Sequence, residues 1–336
     1  MRKFLALALA ALGFAAPAAA QEMWRHAPSG ISVPRQIGEM ELRSESDSSG
    51  GRGEDVAVQF GSGDTVVTLY IYRAAYPNPA LWFERTRLAM NVNVQAPVNR
   101  VDPRSFTLGN ASAPNGLRED IALPGPRLRA TSVAMAQAGQ WLVKTRISSA
   151  SLDRDGVAAR MDALLGALRF ETMPTPHPLV VPGPCPDEVR MRGELIRRPS
   201  TEAVMAGTVQ GIIAMSNARG HSGLAANPAE WCRATSEMPA IFGALYRKRD
   251  RSEWVALVTD AGRAVAGMRL EVREAAGAAT YATVPGTTSL IALYRDLPNP
   301  DAAIPAAVPV IVGHARGLTE VSTGQPGEQR GDGRKN

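Results

Sequence analysis

Lysine, histidine and cysteine are scarce in this 336-residue chain, which has four lysines, four histidines and two cysteines. With so few lysines the basic residues are nearly all arginine, and Asp and Glu are interspersed among them, for a formal charge of +5. A nucleic-acid binder concentrates its positive charge on one face, so that class is excluded as an expectation. The histidines are His26, His177, His221 and His314. None has a His, Cys or acidic partner two to five residues on, so no metal-ligand pattern is expected. No Cys-x-x-Cys is present, which removes a thioredoxin-type redox site. Aromatics make up 5%. No apolar run reaches the ~20 residues that a membrane-spanning helix needs. Hydrophobic residues at 45% and charged residues at 21% belong to an ordinary globular chain.

The N-terminus reads as an address. Met1–Lys3 is basic, Phe4 to Pro17 is apolar and Ala/Leu-rich, and Ala18-Ala19-Ala20 supplies small residues before Gln21. This is the three-part secretory leader, with cleavage expected near Ala20 and a periplasmic or secreted destination. No cysteine follows the small residues, which argues against a lipid anchor. In such a compartment Cys185 and Cys232, the only two cysteines, are expected to pair. The loop so closed stabilises by roughly 4 kcal/mol in the chain-entropy model.

Six prolines fall between Glu171 and Pro186. Each removes a backbone donor and restricts the residue before it, so an extended linker is expected. The chain then divides into a leader (1–20), a first domain (22–172), a linker (173–186), a second domain (187–321) and a polar, Gly-rich tail (322–336) expected to be disordered. In the first domain 56–60 and 65–72 are β-branched and aromatic, with Gly61-Ser62-Gly63-Asp64 between them as a hairpin signal. Asn78-Pro79 opens a helix carrying Trp82, Phe83, Ala89 and Met90. Strands are expected at 104–109, 117–123, 127–137 and 139–149. From Asp153 to Phe170, Val157, Met161, Leu164, Leu165 and Leu168 form one helical stripe.

The motif Ser29-Gly30-Ile31-Ser32-Val33-Pro34, the polar hairpin 44–55, the strand Thr65 to Tyr72 and the closing helix resemble exported bacterial proteins without assigned activity. Their order is similar to the PsbP-like α/β sandwich. That resemblance spans the N-terminal half, implies a non-catalytic binding or assembly role, and carries no site motif.

The second domain opens with a helix at 200–216 capped by Ser200, with Met205, Thr208, Ile212 and Met215 on one face and Gly207 and Gly211 weakening it. Strands are expected at 240–247, 253–260, 263–272, 279–284 and 287–294, with a turn at Asp260-Ala261-Gly262. Leu293-Tyr294-Arg295 before Pro298-Asn299-Pro300 echoes Leu69 to Arg73 before Pro77-Asn78-Pro79. Pro305 and Pro309 interrupt the helix that would follow, and a chance match in a proline-rich chain is favoured over the alternative, a degenerate duplication of the domain. The fold class expected is α+β in two domains, each an antiparallel sheet packed with helices.

Chemistry is sparse. Gly220-His221-Ser222-Gly223-Leu224 misses the Gly-x-Ser-x-Gly elbow at its last position and reads as a loop. The acids of Asp47 to Val58 imitate a calcium loop, but Arg52 and Val58 stand where Gly and Glu belong. The pairs Glu119-Asp120 and Asp187-Glu188 read as solvated surface, and His26 as exposed. Trp82, Trp141 and Trp254 read as core, and Trp231 as packed on the disulfide. No catalytic, cofactor-binding or metal residue is assigned, and no cofactor is expected. The function expected is a binding or envelope accessory role, with a small ligand or an envelope protein as partner. The alternative is a hydrolase with a dispersed site near His221 and Ser222.

Overall fold

A computed structural model describes residues 21–93, 102–171, 177, 179–188, 191–219, 224, 227–235, 243–259, 262–270 and 277–322. Among these the chain forms four α-helices and three antiparallel sheets.

The first sheet is small: β1 (Met23–His26), β2 (Ile31–Pro34) and β11 (Arg169–Phe170), with β2 central. The second has eight strands. In chain order they are β3 (Gln36–Ile37), β4 (Met40–Asp47), β5 (Asp55–Ser62), β6 (Thr65–Tyr72), β7 (Arg104–Phe106), β8 (Gly116–Ala122), β9 (Ala130–Ala138) and β10 (Trp141–Ser149). In space they run β3-β4-β5-β6-β10-β9-β8-β7. The turn between β5 and β6 is the two residues Gly63-Asp64, and Gly63 adopts φ 57°, where glycine carries no steric cost.

Helix α2 (Arg154–Ala167) covers one face of this sheet, capped by Asp153, which accepts from the Gly156 amide. Its Val157, Met161 and Leu164 join one buried cluster with Ala134 and Ala136 of β9 and Val143 and Ile147 of β10, two of the strands on which the helix rests. The helix stops at Ala167 rather than continuing to Phe170. Leu168 turns extended, and Arg169–Phe170 pair with β2 instead. Helix α1 (Pro79–Asn93) begins at Asn78, whose side chain accepts from the Ala80 amide at 2.9 Å, and covers the opposite face.

The third sheet has seven strands joined in sequence order: β12 (Trp231–Ala234), β13 (Ala244–Lys248), β14 (Glu253–Val258), β15 (Arg263–Arg269), β16 (Ala278–Val284), β17 (Thr287–Tyr294) and β18 (Thr319–Ser322). β18 takes in Ser322, the first residue assigned to the tail. Helix α3 (Thr201–Arg219) lies on one face, its Ala203 amide capped by Ser200 at 3.2 Å. Helix α4 (Pro300–Ile311) lies on the other face and continues through Pro305 and Pro309. The prolines sit on its exposed side, while Ala303, Ile304, Ala307 and Ile311 bury against the sheet. That burial holds the helix together despite the missing amide donors. The echo is real in local geometry: Asn299 caps α4 as Asn78 caps α1.

One hydrophobic cluster takes residues from both halves. Tyr72, Trp82 and Phe83 from the first meet Tyr246, Leu257 and Tyr281 from the second. The backbone joins too, the Ala75 amide donating to the Gly262 carbonyl at 3.0 Å. The described part of the proline-rich segment is extended and docked. Val181 packs on the shared cluster, and Pro184 bridges Arg233 at the edge of the third sheet. The Asp260-Ala261 turn and the 323–336 tail lie outside the described residues.

Candidate functional site

Cys185 and Cys232 are joined, their Cα atoms 4.8 Å apart. The Cys185 amide donates to the Arg233 carbonyl and the Arg233 amide to the Gly183 carbonyl, so the bridge fastens a short added strand to β12. Trp231 does not pack on it. Neighbouring strand residues point to opposite faces, and Trp231 turns into the shared cluster.

On α4's side of the sheet, beside the bridge, lies a cavity of about 460 Å³. Its walls are Cys185 and Asp187, Arg233 and Arg247 of β12 and β13, Trp254, and the start of α4. Arg247 pairs in register with Cys232 and Trp254 and is only 4% exposed. One of its amino groups donates to Asp187 at 2.6 Å. Its Nε and Nη1 are buried and find no acceptor among the described residues. The other oxygen of Asp187 accepts from Arg251 at 2.5 Å. The Arg247 hydrogen bond holds the Asp187 carboxyl below the usual carboxylate range. Arg233 is paired with Glu84 of α1, and the Tyr246 hydroxyl donates to Glu84 at 2.7 Å. Burial, then the Glu84 charge, push the Tyr246 phenol well up.

A second cavity, of about 680 Å³, opens in the first half between β7, β8 and the end of α2. Its buried Arg118 is fully engaged, donating to Asp120 at 2.9 Å and the Ala158 carbonyl at 2.8 Å and pairing with Asp162. This arrangement pins α2 to the sheet and occupies each of the three guanidinium nitrogens of Arg118 with a protein partner.

Several expectations are corrected here. His26 is buried, 4% exposed, stacked with Trp24 and edge-on to Trp141. Its Nε2 faces the Gly53 carbonyl at 2.7 Å, and a carbonyl only accepts, so Nε2 carries the proton. Ser29 then donates to Nδ1 at 2.6 Å. Burial lowers the His26 pKa. The pair has a nucleophile–base distance, but Ser29 also accepts the Ile31 amide, and the set fastens β1 and β2 to the 47–54 loop. That loop is built inward: Asp47 accepts the Ser49 and Gly53 amides, and Glu54 and Asp55 are buried. Glu119 is buried beside Arg87 at 3.1 Å and Asp120 is largely covered between Arg104 and Arg118, whereas Asp187 and Glu188 are exposed, as expected, with Asp187 held by Arg247 and Arg251. For Glu119 and Asp120, burial against a sheet whose strands and covering helices carry arginines overrides the surface default for such acids.

His221 and Ser222 lie outside the described residues, as does most of the loop that carries them. Among the described residues no three His, Cys, Asp or Glu side chains gather as metal ligands. The sequence announced the cysteines by parity. It gave no sign of Arg247, which alternates with Tyr246 and Lys248 like any strand residue. Compared with known proteins, the chain matches no family model and has no significant relative among curated proteins.

Proposed function

We propose that this is an exported, non-catalytic binding or accessory protein of the bacterial envelope, and that a small polar ligand is held in the cavity beside the Cys185–Cys232 bridge. Arg247 carries the reading. Arg247 lines the cavity, and its Nε and Nη1 are covered just behind the cavity surface without acceptors among the described residues. A buried donor left unsatisfied costs about 1–3 kcal/mol. A ligand carboxylate, phosphate or carbonyl that reaches these groups recovers that cost, so the site favours acceptor-bearing ligands. Asp187 and Glu188 on the same wall suit a ligand that also carries donors. The leader-like N-terminus and the disulfide agree with an oxidising compartment. The PsbP-like resemblance of the first half leans towards binding.

The test is a thermal-shift screen of the chain lacking residues 1–20 against small carboxylates, phosphates, amino acids and sugars. A hit should raise Tm in the native protein and fail to do so in Arg247→Met and Asp187→Asn. A hit that persists in both variants places the ligand elsewhere. The same material is screened on esters, peptides and glycans. Turnover abolished by Ser222→Ala would replace this reading with the hydrolase alternative at His221 and Ser222.

A further inference from the structure

The last edge of the third sheet is covered by two separate pieces of chain. β18 pairs with β17 from Thr287 to Leu290, and the Leu318 amide donates to the Leu290 carbonyl at 2.7 Å. Further along the same edge the segment 194–196 takes over. The Ile196 amide donates to the Leu293 carbonyl at 2.9 Å, and the Arg295 amide to the Glu194 carbonyl at 2.9 Å. The second piece leaves the edge where the first arrives, and the gap between them falls at Ile291 and Ala292. A cavity of about 720 Å³ opens there, between this edge and the flank of α4.

The lining is largely apolar. Ile291 and Ala292 form the sheet side, and Ala302 and Ala306, one turn apart on α4, form the helix side. From Ala302 to Val310 the helix runs about 12 Å. Leu195 and Leu318, 50% and 49% exposed, also line the cavity. Two leucines left half in water around an apolar hollow mark a place for an apolar ligand.

The charge at this cavity has one sign. Arg197 follows Ile196 and Arg316 precedes Leu318, so they come from the two chain pieces that meet at the gap, and Arg192 joins them on the lining. All three are exposed, and none forms an ion pair among the described residues. No acid among the described residues lines the cavity. Glu194 and Asp296 on the adjoining segments are paired with Arg295 and Arg269, and Glu202 and Glu320 lie outside the lining.

We propose that this cavity binds a fatty-acid anion, its chain lying along α4 over Ile291 and Ala292 and its carboxylate meeting Arg197 and Arg316. The planar donors of arginine match the two oxygens of a carboxylate. A wholly polar anion would set its hydroxyls against Leu195 and Ile291 without partners. A neutral lipid gains nothing from the arginines. The chain's own tail beyond Ser322 is polar and carries Arg330, Arg334 and Lys335, so it matches neither the lining nor the charge. This inference is independent of the ligand proposed beside the disulfide, which rests on Arg247. Asn299 borders both cavities, so Arg247→Met serves here as a control.

The experiment is isothermal titration calorimetry of the chain lacking residues 1–20 with decanoate, octanoate and decanol. Decanoate is expected to bind saturably. Octanoate should bind about tenfold more weakly, because two fewer methylenes leave water. Decanol, which has no charge for the arginines, should also bind about tenfold more weakly. Arg197→Gln/Arg316→Gln should weaken decanoate about tenfold and leave decanol as it was. Ala306→Trp fills the cavity and should abolish both. These positions are exposed, so circular dichroism and Tm should match the parent. Arg247→Met should leave decanoate binding unchanged. Absence of saturable decanoate binding overturns the proposal, as does binding that Ala306→Trp or the arginine pair leaves unchanged. Loss of decanoate binding in Arg247→Met would place the acid beside the disulfide and also overturn it.

Discussion

Helices α2 and α3 each cover one face of an antiparallel sheet and bury opposite kinds of residue. α2 places Val157, Met161 and Leu164 against its sheet and keeps Asp155 and Asp162 outside. α3 places Ala203, Gly207 and Gly211 inside and Met205, Val209 and Ile212 outside. The difference follows from the spacing between layers. Large side chains on both surfaces hold a helix off the sheet. Where Tyr281, Leu290 and Leu293 already fill the gap, only small residues fit beneath.

The largest expected effect probes that contrast directly. Leu164→Ala on α2 empties a fully buried site and should cost about 2–5 kcal/mol by chemical denaturation. Ile212→Ala on α3 should stay within about 0.5 kcal/mol. Equal losses at the two sites would mean the outward face of α3 is covered after all.

The edge of the shared cluster between the halves sharpens the comparison, because there Glu253, a partly buried acid, opens β14 beside large apolar groups. Burial raises the Glu253 carboxyl to about 7, with Lys248 opposing and Asp250 adding to the shift. The Tyr76 phenol near it is pushed up by its own burial and then by the Glu253 charge. The folded state therefore holds the Glu253 proton more tightly than the unfolded chain. The stability this gives is complete below the ordinary carboxylate pKa, falls as pH rises, and is lost once pH passes about 7. Urea midpoints should drop between pH 4 and pH 8 by the equivalent of about 3 kcal/mol. Glu253→Gln should flatten much of that slope and raise stability at pH 8. An unchanged slope in the variant would place the titrating group elsewhere.

The smallest effects come from paired glycines. Ala at Gly211 gains helix propensity but would set its Cβ 2.5 Å from Tyr281, so Gly211→Ala should lose about 1–3 kcal/mol. Gly166 in α2 has nothing within 4 Å of the same position, so Gly166→Ala should gain up to about 1 kcal/mol. If both variants melt above the parent, α3 has room beneath it and the explanation by layer spacing fails.

Much of this fold is written in local chemistry. β-Branched alternation located β5 and β6, Asp153 and the stripe from Val157 located α2, and Asn-Pro marked the start of α1; the same dipeptide precedes α4, whose interior prolines argued against a continuous helix. Such signals are legible because backbone sterics, capping and periodicity act over a few residues. The Cys185–Cys232 pair was legible by number alone, there being no other partner for either. What the chain did not announce depends on what stands opposite. Periodicity showed that Met205 and Ile212 share a face of α3, but the side chains of β16 and β17 decided that this face points outward. Arg247, Glu119 and His26 have unremarkable sequence neighbours, and their burial was settled by elements distant in the chain. The Pro-rich segment specified extended backbone, because proline constrains its own φ and its predecessor. Whether that backbone swings free or docks beside Arg233 is a contact made across the fold, and only the tertiary structure sets it.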